Sequence, residues 1–151
     1  MSKRMMIDLT AFKSPKVGRA YEYWLSKSVG GALPSRADIK PRELVGVLDQ
    51  LFLIDVTRGP LTFTFRLVGT QLTKWAGVDY TGLAFSARSA APNWRIVVDD
   101  FRNVAETGLP RRDQRSAPWV SKEFYRIERL IAPLSSDGVT VDKLFGAIQL
   151  L

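Results

Sequence analysis

Ten side chains carry most of the chemistry this sequence offers. Eight are aromatic or apolar, Phe65, Leu67, Trp75, Tyr80, Phe85, Trp94, Phe101 and Tyr125, and two are arginines set inside strand-like stretches, Arg66 and Arg129. Gathered under a layer of helix, the eight would line an apolar pocket with few polar groups, which is how small-molecule sites are usually built. Packed against one another they would simply be core, the common fate of large apolar residues in a small domain. A guanidinium fork matches carboxylate or phosphate, so Arg66 and Arg129 are the candidates for gripping an anionic ligand. The competing reading pairs them with Asp55 or Glu128, or leaves them in solvent.

What is missing narrows the chemistry further. The 151 residues contain no cysteine and no histidine. Disulfides, thiolate nucleophiles, Cys/His zinc sites and every Ser-His-Asp or Cys-His arrangement are therefore excluded. Gly77 and Gly82 have the spacing of two glycines in a phosphate-binding loop, but Leu83 and Ala84 stand where Lys and Ser/Thr are needed. Asp99 and Asp100 are neighbours on a predicted helix, point about 100° apart, and read as a solvated face. The net charge is +7, and residues 1–30 hold six Lys/Arg against two Asp/Glu. Such a basic arm could follow phosphates, although its scattered charges fit a solvated tail and helix face better. No apolar run approaches the roughly 20 residues of a membrane span, and the start of the chain is a poor secretory signal. A cytoplasmic protein with no membrane partner is expected.

The elements that must position these groups follow from the hydrophobic pattern. Residues 1–13 show no period and read as a flexible leader. Ser14-Pro15 opens an amphipathic helix with Val17, Tyr21, Trp24 and Leu25 on one face, ended by Gly30-Gly31. That stripe must either fold back over the rest of the chain or join two copies as a homodimer. Residues 14–48 thus form an N-terminal helical extension and residues 49–151 the main domain. The stretch Leu51 to Gly69, LFLIDVTRGPLTFTFRLVG, reads as a β-hairpin broken at Gly59-Pro60. Phe63, Phe65 and Leu67 are placed on one face of its second arm and Thr62, Thr64 and Arg66 on the other. A short helix at 70–76, a turn GVDYTGLAF and a longer helix from Pro92 to about Thr107 follow. Three strands complete the set: Arg111–Ser116, basic like an edge; Glu123–Leu134; and, after the Asp137-Gly138 turn, Val141–Leu150.

In their order and spacing, LPSRADIKP, LFLIDV, FRLVGTQL, GVDYTG and RLIAPLSSDG followed by VDKLFGAI resemble a single-domain PAS-like family common in alphaproteobacteria, over roughly residues 20–150. The resemblance implies an α+β fold: a five-stranded antiparallel sheet in order 2-1-5-4-3, helices on one face around a small cavity, and here an extra N-terminal amphipathic helix. It also implies a sensory or interaction module without catalysis of its own, in a family with some links to motility and cyclic-di-GMP signalling. With no room for an output domain, the output is expected to pass through a regulatory protein partner. A haem cofactor would want an axial histidine, and Met1, Met5 and Met6 all lie in the leader; flavin-thiol adducts and thioester-linked chromophores would want a cysteine. A non-covalent small-molecule ligand is left open. Two other readings compete: a nucleic-acid-associated protein using the leader with Arg111, Arg112 and Arg115, and a small α+β enzyme with Asp55 as a carboxylate base.

Overall fold

The computed structural model describes residues 7–117 and 122–151, with residues 122–125 as backbone. Three α-helices, α1 (Pro15–Lys27), α2 (Thr70–Ala76) and α3 (Pro92–Thr107), accompany six strands: β1 (Leu51–Thr57), β2 (Thr62–Val68), β3 (Ala84–Ser86), β4 (Arg111–Ala117), β5 (Lys122–Leu134) and β6 (Lys143–Leu150). They form one antiparallel sheet in the order β3-β2-β1-β6-β5-β4. The expected count of five is thus corrected to six. The added strand, β3, pairs with β2 through Thr62–Ser86, Phe63–Phe85 and Thr64–Ala84. Three residues are too few to show an alternation, so this strand was hidden in what reads as a turn.

Side-chain alternation divides the sheet's two faces cleanly. Phe52, Ile54, Val56, Phe63, Phe65, Ile127, Ile131 and Leu144 form one core with α2 and α3. Leu51, Leu53, Leu130, Ala132, Leu134, Phe145 and Ala147 form the other, and it is α1 that covers them. The α1 stripe is consumed there: Val17, Ala20, Tyr21 and Trp24 are completely buried. The alternative of a homodimer built on this stripe is therefore not open while α1 is docked. The helix begins as its sequence foretells, with the Ser14 side chain accepting the Val17 N–H at 3.2 Å and Pro15 in the first turn.

Residues 1–6 of the expected leader lie outside the described residues, but residues 7–13 are held. The Ile7 N–H donates to the Tyr21 hydroxyl at 2.6 Å, Phe12 stacks on Tyr21, and the Lys13 and Ser14 amides donate to the Glu128 carboxylate at 3.0 and 2.7 Å. No periodicity foretells this, because the contacts rest on backbone amides and single side chains, with Glu128 more than a hundred positions away.

Two local features shape the helix-covered face. The β1–β2 register slips between Leu53 and Ile54: Leu53 faces Leu67 and Ile54 faces Phe65, leaving Arg66 as the extra residue of a β-bulge. Leu67 is thereby turned to the α1 face, 40% exposed, and Val68 takes the inward place. This corrects the expected grouping of Leu67 with Phe63 and Phe65. In β6, Gly146 lies opposite Phe52, whose ring covers it: a Cβ at Gly146 would come within 2.1 Å of Phe52 Cζ and 2.4 Å of the Leu130 carbonyl oxygen. The ring could swing away, but the carbonyl belongs to the sheet. Gly146→Ala is expected to destabilise the fold by about 1–3 kcal/mol, the usual range for overpacking, read as a lower urea midpoint at unchanged slope.

Candidate functional site

Beneath α2 and α3 the first core is not completely filled, and a cavity of about 50 Å³ remains, open on one side. Of the ten candidate residues, six line it: Phe65 from β2, Trp75 from α2, Tyr80 from the loop after it, Trp94 and Phe101 from α3, and Arg129 from β5. Phe85 stands behind this wall, stacked on Trp94 with ring centroids 4.5 Å apart and planes within 6°. Leu67 is on the other face, and Arg66, at the bulge, is exposed. Tyr125 lies outside the residues whose side chains are described.

Each wall has a local cause. Trp94, Val97 and Phe101 recur at helical spacing on α3, whose first turn holds Pro92 and whose end is capped by Gly108 in the left-handed region. Leu72 and Trp75 are one turn apart on α2, and Gly77, at φ 78°, stops that helix with its N–H on the Thr73 carbonyl. Phe65 makes edge-on contacts with Phe85, Trp94 and Phe101 at 6.0–6.2 Å. The aromatic set is thus both core and cavity wall. Val68, Val97 and Ile148 also line the cavity. Val68 could have been found only by foreseeing the bulge, and the other two carry no signal beyond ordinary core periodicity.

The polar group at this cavity is not waiting for an anion. Arg129 is 1% exposed, and its Nη2 donates to Asp100 Oδ2 of α3 at 2.5 Å and to Asp113 Oδ2 of β4 at 2.7 Å, while Nε donates to Asp113 Oδ1 at 3.2 Å. Arg115 donates to Asp100 at 2.7 Å, and Arg111 bridges Asp100 and Asp113 at 3.3 and 3.1 Å. Neither Asp55 nor Glu128 is Arg129's partner here. The reading of Asp99-Asp100 as a solvated face holds for Asp99 and is corrected for Asp100, which is 6% exposed. Burial pushes the Asp113 carboxyl up, but the Arg129 and Arg111 guanidiniums outweigh it and hold it below the ordinary value. Burial raises Tyr80, keeping its phenol protonated.

One residue earlier on β5, Glu128 points through to the α1 face. It is completely buried and accepts from the Lys13 and Ser14 amides, from Arg112 Nη2 at 2.8 Å and from Gln114 at 3.3 Å. Burial pushes it up; the two amides, Arg112 and Gln114 together bring it below its ordinary value. Both carboxylates therefore add stability at neutral pH that is lost as pH falls from their ordinary values, 4.5 for Glu128 and 3.8 for Asp113, through their lowered ones. Glu128→Gln is expected to lower stability at pH 7 by about 2–3 kcal/mol, the worth of hydrogen bonds to a charged group. It should also flatten the acid limb of a urea-midpoint-against-pH curve; a variant with the parent's acid limb would contradict this assignment.

These pairings bear on the competing readings. Arg111, Arg112 and Arg115 are engaged with Asp100, Asp113 and Glu128, so they present no open phosphate-binding stripe. Asp55 sits on the face away from the cavity, bonded to Lys143 at 2.7 Å with a quarter of its side chain exposed, unlike a desolvated base. Among the described residues no group of His, Cys, Asp and Glu is arranged to hold a metal ion. No described helix is long and apolar enough to cross a membrane.

Residues 12–149 match the family model of the PAS domain. The chain belongs to the PAS domain family. Among solved structures this PAS domain is similar to the LOV domain of the blue-light photoreceptor Aureochrome1 in its light state, at 12% identity and TM-score 0.49, covering 73% of this chain and 87% of that one. It is also similar to the PAS domain of BvgS from Bordetella pertussis (13% identity, TM-score 0.49, 70% of this chain and 79% of that one). A third is the N-terminal domain of a diguanylate cyclase with PAS/PAC sensor from Marinobacter aquaeolei (15%, 0.46, 67% and 94%). No curated protein matches the chain. Membership supports reading this PAS domain as a sensory signalling module.

Proposed function

We propose that this PAS domain is a cytoplasmic, non-catalytic sensory module whose sensing site is the cavity beneath α2 and α3, and whose output reaches a regulatory protein partner. The observation that carries the reading is the cavity itself: an aromatic-walled space whose single charged lining residue among those described, Arg129, is also the tie between α3 and β4. A ligand resting on that residue would touch the group that holds two elements together, and ligands change a protein only through such differential contacts. The arginines already paired and the partly exposed, salt-bridged Asp55 leave the nucleic-acid and enzyme readings without support of this kind.

Native mass spectrometry of freshly purified protein, beside its denatured mass, tests the proposal. The expected result is a discrete adduct at up to one per chain that vanishes on denaturation. A clean unliganded mass, with no shift on exposure to a cell-metabolite extract, would reject the small-molecule part and leave the protein partner as the input.

A further inference from the structure

We infer that the ligand of this cavity is uncharged, predominantly apolar and no larger than a one-ring molecule the size of toluene, an inference that rests on the sensory reading above. Size sets the upper bound. At about 50 Å³ the cavity has a third of the roughly 150 Å³ in which an engineered apolar cavity takes benzene. A few atoms fit as it stands. A ring fits once Trp75 yields, and that residue is half-buried on a seven-residue helix whose one buried residue is Leu72. A flavin or a haem would have to part the Phe85–Trp94 stack and the edge-on contacts of Phe65 that brace it.

Charge sets the class. Among the described residues, eleven of the twelve that line the cavity are apolar or aromatic, and the twelfth, Arg129, already donates to two carboxylates. An anion reaching that guanidinium would have to compete with Asp100 and Asp113 for its donors and would give up its own water against a lining that is otherwise apolar or aromatic, a costly exchange. A cation would lose its water beside the same guanidinium, with aromatic faces as the main compensation. A neutral apolar molecule meets neither penalty, because burying its surface and that of the cavity walls is favourable without any change in the ion pairs.

The test uses toluene and benzoate, which share a ring and differ in charge, together with the flavin mononucleotide, in methyl-resolved NMR titrations of the full chain. Toluene is expected to shift the methyls of Val68, Leu72, Val97 and Ile148 with one saturating site, and benzoate to bind at least tenfold more weakly or not at all. Val97→Phe, which places a ring in the cavity, should abolish the toluene shifts while the variant keeps a cooperative melt. Ile148→Phe, from the opposite wall, serves if that variant does not fold. Benzoate binding as tightly as toluene, or saturable flavin binding at these methyls, would overturn the ligand class while leaving the cavity as the sensing site. Silence from all three probes would overturn the class and the cavity reading together.

Discussion

Replacing Trp24 by alanine is expected to lower stability by about 3–5 kcal/mol, the range for truncating a fully buried tryptophan. Trp24 has no exposed surface, stacks on Tyr21 with centroids 6.1 Å apart, and donates its indole N–H to the Pro133 carbonyl at 2.9 Å. The variant therefore loses dispersion contacts, opens a void over the second core and leaves a buried carbonyl without its donor. Since typical domains hold only about 5–15 kcal/mol in total, this is a large share. The effect should show in equilibrium urea unfolding, and hydrogen exchange along residues 15–27 should accelerate beyond what the global loss explains. A loss below about 1 kcal/mol would mean that α1 is an appendage to the sheet and not part of its core.

Arg129→Met should be comparably damaging, about 3–5 kcal/mol, because removing one member of a buried ion pair strands the others. Asp100 and Asp113 would keep Arg111 and Arg115, yet lose the shared Nη2 that sits 2.5 and 2.7 Å from them. The pH dependence gives this prediction its signature. In the parent, Asp113 is held below its ordinary value by Arg129 and Arg111 against burial. Without Arg129 burial gains ground, and the folded value moves up. If it passes the unfolded value, the charged carboxylate costs stability above that pH and the cost is relieved as the solution is acidified. The stability gap between parent and variant should accordingly narrow as pH falls through the variant's raised value and on below 3.8, where the parent's own Asp113 carboxylate takes up its proton. A gap independent of pH would show that the loss comes from packing and not from the stranded carboxylates.

The sheet was largely legible because its strands obey alternation: Leu51 and Leu53 against Phe52, Ile54 and Val56 sort onto two cores as the residue types demand. Both long helices were legible from Ser14-Pro15, Pro92 and Gly108. The illegible parts share a cause, which is that they depend on one extra residue or on distant partners. The bulge at Arg66 reverses the faces of Leu67 and Val68, and nothing in TFTFRLVG marks it. Asp100 looks like half of a solvated pair until Arg129, twenty-nine residues on, is seen to face it. Of the site, the aromatic wall could be read from composition and order, but Arg129's state could not: Arg66 and Arg129 both stand in strands, and only the fold says that the first is exposed and the second buried and neutralised by Asp100 and Asp113.

The two edges of the sheet are made of different materials. At the β3–β2 edge the packing is aromatic ring on ring, while at the β5–β4 edge Glu128 and Arg129, adjacent in sequence, drive buried charges to opposite faces. Apolar packing weakens on cooling and is indifferent to protons; charge pairs fail in acid. The domain should therefore come apart from opposite sides under different stresses, with acid loosening the β4–β5 arm together with the start of α1 while the aromatic side stays protected from hydrogen exchange. What reads as one cooperative unit at neutral pH is, on this view, two fastenings in one sheet, each with its own solvent weakness.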